Sequence, residues 1–79
     1  MTAKEMFEKL GYKIDMIFGH ILSYSKILDN NVEKSITFND TGTYKFFTII
    51  VEDRKNPTIN LEELQAINKQ VEELEWNNE

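Results

Sequence analysis

Seventy-nine residues, 41% of them apolar, with three glycines, one proline and no cysteine, describe one globular domain over 1–79 rather than a disordered or disulfide-stapled chain. Without thiols, and with neither an apolar run near the roughly 20 residues that cross a bilayer nor a signal-peptide core behind Met1, the expected setting is cytoplasmic, with no membrane partner and no cofactor. A net charge of −5 repels phosphate at long range and argues against nucleic acid as a partner, because non-specific binding rests on Lys and Arg.

Thr2 is a good N-cap and Glu5, three residues on, completes a capping box, so a short helix is predicted to open the chain. Ala3, Met6, Phe7 and Leu10 fall on one face of it, and Gly11 stands where helices end in the left-handed region. The middle reads as strands. Leu22 and Tyr24 alternate with Ser23 and Ser25, while Ile21 and Ile27 point the other way; Asp29-Asn30-Asn31 is a turn cluster. Ile36 and Phe38 alternate with Ser35, Thr37 and Asn39, the pattern of a half-buried strand, and Asp40-Thr41-Gly42 makes a compact connection. Thr43–Val51 is dense in β-branched and aromatic residues, with Tyr44, Phe46 and Ile50 on one face and Phe47, Ile49 and Val51 on the other. Apolar on both faces, it reads as a central or doubly covered strand.

The polar stretch from Glu52 to Thr58 closes the sheet, and Asn60 with Glu63 forms a second capping box. Leu61, Leu64, Ile67, Val71 and Leu74 make the apolar stripe of the last helix, with Glu62, Glu63, Glu72, Glu73 and Glu75 expected on its solvent side. The expected fold class is α+β, a two-layer αβββα sandwich: a three-stranded antiparallel sheet with both helices on one face. Residues 13–22 leave two options open. They form either a fourth strand that bulges at Gly19 or a loop folded over the open sheet face.

Thr2-Ala3-Lys4-Glu5-Met6-Phe7-Glu8-Lys9-Leu10-Gly11-Tyr12 resembles the opening of a group of small uncharacterised proteins of Gram-positive bacteria and their phages or prophages. Their closing helix is similar to Glu63-Leu64-Gln65-Ala66-Ile67-Asn68-Lys69-Gln70 with Trp76, and Leu22-Ser23-Tyr24 and Ile36-Thr37-Phe38 are similar to their strands. The chain departs from them at Ile14–Phe18, apolar where they tend to be polar, and at Glu75 in place of a small residue. The resemblance implies a bacterial or phage-related cytosolic protein and brings no catalytic residues with it.

Chemistry-bearing motifs are sparse. His20 is the lone histidine, no Gly-x-Ser-x-Gly elbow occurs, and the adjacent pairs Glu62/Glu63 and Glu72/Glu73 do not face each other on a helix. Asp40, Glu52 and Asp53 could gather at a loop edge but lack a calcium-loop spacing. The αβββα order is also that of double-stranded RNA-binding domains, yet the basic start that their last helix needs is here Leu61, Glu62 and Glu63. No catalytic, cofactor-binding or metal residue is therefore assigned.

Two helices cover one sheet face. The other face is expected to carry Phe47, Ile49 and Val51, with Met16, Ile17 and Phe18 beside them, as a protein interface, its simplest version a homodimer through this face or through an edge strand. The leading expectation is a non-enzymatic protein-interaction module of phage or mobile-element type. One alternative is an acidic mimic or inhibitor using helix 61–75 against a basic or nucleic-acid-binding partner. Another is a small hydrolase or metal-dependent enzyme built on His20.

Overall fold

The capping boxes set both helices. In the computed structural model, which describes residues 1–53 and 55–76, α1 spans Ala3–Lys9. Glu5 N donates to Thr2 Oγ1 at 3.1 Å while Thr2 N donates to Glu5 Oε1 at 2.8 Å. Gly11 follows at φ 93°, a backbone conformation that side chains disfavour, and turns the chain into the sheet. Lys26 Nζ donates to the carbonyl of Leu10 at 3.1 Å, which places a cation at the negative end of α1. Helix α2 spans Leu61–Glu73; Asn60 Oδ1 accepts from Glu63 N at 2.8 Å, and Asn60 N donates to Glu63 Oε1 at 2.9 Å.

Between the helices lie β1 (Lys13–Phe18), β2 (Ile21–Ile27), β3 (Glu33–Asp40) and β4 (Lys45–Val51), an antiparallel meander in the order β1-β2-β3-β4. The order is thus αββββα, an α+β fold in which the sheet has four strands. Of the 13–22 segment, Lys13–Phe18 is a strand rather than a covering loop, Gly19 and His20 form a turn, and Ile21 and Leu22 begin β2; every residue of β1 is exposed. Its bulge falls at Asp15, where the register slips between Ile14 and Met16. Gly19, at φ 55°, instead opens the two-residue turn to β2, the position where positive φ matches the sheet's twist.

Both helices pack on the face that carries Tyr24, Ile36 and Phe38. The core comprises Phe7, Tyr12, Tyr24, Ile36, Phe38, Ala66 and Ile67. Phe7 stacks on Tyr24 with ring centroids 4.1 Å apart and meets Tyr12 and Phe38 edge-on at 5.5 and 6.3 Å. Trp76 closes the far end against Phe38 at 6.1 Å. The stripe of α2 differs from the expected one: Glu63, Ala66, Ile67 and Gln70 are buried, whereas Leu61, Leu64 and Leu74 stay exposed. The helix is rotated toward the residues that can bond to the sheet.

Candidate functional site

Polar bonds fix which sheet face the helices take. Glu63 was expected on the solvent side of α2; it is buried, because both carboxylate oxygens have partners. Tyr12 Oη donates to Oε2, and Lys34 Nζ reaches Oε1 and Oε2 at 3.0 and 2.9 Å. Lys34 Nζ also donates to Thr58 O at 2.8 Å, so its donors and the carboxylate lone pairs are matched. Tyr24 Oη donates to Gln70 Oε1 at 2.6 Å, and Glu73, exposed as expected, accepts from Ala3 N at 2.7 Å, tying α2 to the start of α1. Burial pushes the Glu63 carboxyl up, but bonds from Tyr12, Asn60 and Lys34 outweigh it and hold the group below its ordinary value. Burial, then the bond to Glu63, raises the Tyr12 phenol; burial, then the charges of Glu73 and Glu8, pushes Tyr24 up to about 12.

These shifts set the expected pH profile. A carboxyl depressed in the fold contributes stability that is present above its unfolded value of 4.5 and is lost as acid takes the pH below it. A phenol raised in the fold contributes stability that is present below its unfolded value of 10.0 and is lost as the pH climbs past it. The urea midpoint, followed through the fluorescence of Trp76, is expected to fall on both flanks and most steeply between pH 10 and 12. A flat alkaline limb would contradict the buried phenol bonds.

With the helices clamped on one side, no helix or strand of the described residues lies over the other side of the sheet. The β3–β4 register pairs Ile36 with Ile49, Phe38 with Phe47 and Lys34 with Val51, which puts Phe47, Ile49 and Val51 on the helix side. This reverses the expected faces. Val51 is only 4% exposed, and Ile49 is half-buried against the core. Of the residues expected in the core, Phe46 and Ile50 belong to the helix-free side and are 42% and 56% exposed, and Tyr44, in the connection before β4, is 70% exposed. The reason is parity: Asp40 pairs with Lys45 across a four-residue connection, so even-numbered β3 positions share a face with odd-numbered β4 positions.

Met16 and Phe18 do lie on the helix-free face, in register with Ser23 and Ile21, and Phe18 is 75% exposed. Ile17 pairs with Leu22 on the helix side yet is exposed. The helix-free face thus has a hydroxyl spine, Ser23, Ser25, Ser35, Thr37 and Thr48, bordered by Met16, Phe18, Phe46 and Ile50. Ser23 Oγ and Thr37 Oγ1 share a hydrogen bond at 2.9 Å.

His20 sits in the β1–β2 turn at the rim of a cleft of about 300 Å³ walled by Ile17, Leu22, Phe38, Asp40, Leu74 and Trp76. Asp40 is drawn there by its backbone N–H, which donates to His20 O at 3.0 Å, and its carboxylate accepts from Gly42 N at 2.8 Å. The cleft lining contains no Ser or Thr hydroxyl to act as nucleophile. Asp40 lies at the opposite end of the β3–β4 hairpin from Glu52, so the suggested carboxylate group is not assembled. Among the described residues no cluster of three His, Asp or Glu is placed to hold a metal, and no helix is long and apolar enough to cross a membrane. No family model matches the chain, and no curated protein or solved structure matches it.

Proposed function

We propose that the protein is a non-enzymatic protein-interaction module, cytoplasmic, that docks a protein partner on the helix-free face of its sheet. The observation that carries this reading is the apolar border of that face: Met16, Phe18, Phe46 and Ile50 stand exposed around a row of hydroxyls. Exposed apolar surface of this kind marks interfaces, and the hydroxyls supply hydrogen bonds that fix orientation. The resemblance of the two chain ends to small proteins of Gram-positive bacteria and phages supports a bacterial or phage setting. The acidic-mimic reading has less to stand on, since Glu63 is engaged inside the fold and Glu73 is held by Ala3 N, which leaves Glu62, Glu72 and Glu75 as the exposed carboxylates on or just beyond α2 without such a tie to the rest of the fold.

The test is to immobilise the protein and the double variant Phe18→Asp/Ile50→Asp and to compare what each retains from source-cell extract at 0.1 M and about 1 M NaCl, where the Debye length shrinks to about 3 Å. An apolar-face complex survives the salt and is lost in the double variant. A complex that dissolves in salt and ignores the double variant places binding on α2 and sinks the reading.

A further inference from the structure

We propose that β4 is completed by a second copy of the chain, pairing edge to edge with its own β4 about a two-fold axis at Thr48, to give one eight-stranded antiparallel sheet. Three observations lead there. The first is a conflict between composition and place. Phe46-Phe47-Thr48-Ile49-Ile50-Val51 is uncharged and apolar on both faces, the pattern of an inner strand, yet β4 stands at the sheet margin. The opposite margin is protected: β1 carries Lys13 and Asp15 and bulges at Asp15, devices that prevent edge pairing. On β4 no bulge interrupts the register and no charge falls between Lys45 and Glu52.

The second is the phase of the backbone groups. Glu52 N donates to Glu33 O and Thr41 N donates to Tyr44 O, so the even-numbered residues of β4 direct their N–H and C=O toward the body of the sheet. Lys45, Phe47, Ile49 and Val51 therefore direct theirs outward. A two-fold axis at Thr48 sets Phe47 opposite Ile49 and Lys45 opposite Val51. Outward groups then meet outward groups over the whole strand, in about eight backbone hydrogen bonds. On the helix-free side the same register sets Phe46 opposite Ile50.

The third is charge and space. Antiparallel self-pairing brings the Lys45 end of one strand beside the Glu52 end of the other, unlike charges together. Along this margin lies a groove of about 450 Å³, lined by Lys45, Phe46, Phe47, Val71 and Trp76 and open to receive side chains from the partner strand. Pairing also doubles the helix-free face, so this inference builds on the docking reading without being required by it.

The test uses the absence of cysteine. Thr48 is exposed, so Thr48→Cys leaves the core intact. As a non-hydrogen-bonded pair, the two Cα atoms at the axis lie about 4.5 Å apart, inside the disulfide window. Light scattering of the wild type is expected to give twice the 9.3 kDa chain mass, and Thr48→Cys in oxidised glutathione is expected to convert to covalent dimer with unchanged circular dichroism. Met16→Cys, on β1, is expected to stay unlinked. A monomer at every concentration overturns the pairing, and this reading needs no variant. A dimer that links through Met16→Cys and not Thr48→Cys also overturns it. A monomer whose extract partner is still lost in Phe18→Asp/Ile50→Asp removes the pairing and leaves the docking reading standing.

Discussion

Glu63→Ala is expected to lower the unfolding free energy by about 3–5 kcal/mol, the cost of stranding one partner of a buried ion pair. Lys34 would then keep only Thr58 O within the core, and Tyr12 Oη would lose its acceptor. The Asn60 cap would also lose its reciprocal bond. Since a small domain has about 5–15 kcal/mol in all, that loss is a large fraction of its stability and is expected to lower the urea midpoint markedly. Removing both charges together, as Lys34→Met/Glu63→Leu, is expected to recover much of the loss, because a well-packed apolar pair avoids the desolvation that the ion pair must offset. Urea titrations of the two variants check this. A Glu63→Ala midpoint indistinguishable from wild type would mean that α2 is not clamped to the sheet through Lys34 and Tyr12.

Phe38→Ala is expected to cost about 3–5 kcal/mol, whereas Phe46→Ala is expected to cost less than about 1.5 kcal/mol. Phe38 is buried among Phe7, Tyr24, Phe47 and Trp76, and truncation leaves a cavity that the aromatic cluster cannot close. Phe46 points to the side without helices and is 42% exposed. The comparison reads the face of Phe46, and a Phe46→Ala cost as large as that of Phe38→Ala would restore the expected faces, in which both lie in the core. Both variants are compared at a concentration low enough to dissociate any dimer, since pairing at β4 would add its own contribution.

Local signals in the chain were legible and long-range ones were not. Thr2 with Glu5 and Asn60 with Glu63 cap their helices as expected, because a capping box is complete within four residues. The meander of β2, β3 and β4 followed from alternation and short turns. Strand β1 was ambiguous because the bulge at Asp15 breaks its period of two. The faces of β4 were misassigned because a strand apolar on both sides carries no internal mark of which side is in. The mark lay in the turn, since Asp40 opposite Lys45 fixes the parity of every later pair. The Lys34–Glu63 pair left a trace in the sequence: Lys34 has the same parity as Ile36 and Phe38 and so had to point into the core, which calls for an anionic partner. Met16 and Phe18 were expected on the helix-free face, and its other apolar border, Phe46 and Ile50, came only with the register.

The most direct measurement is backbone amide hydrogen exchange of the native protein, resolved along β4. The amides of Thr48 and Ile50 point into the sheet and are protected whether or not the edge is paired. Those of Phe47 and Ile49 point outward and are slowed only if another strand accepts them. If β4 is an inner strand, all four exchange at comparable slow rates at high protein concentration, and Phe47 and Ile49 speed up on dilution. Fast exchange at Phe47 and Ile49 beside protected Thr48 and Ile50, at every concentration, would show β4 to be a bare edge and would contradict the pairing.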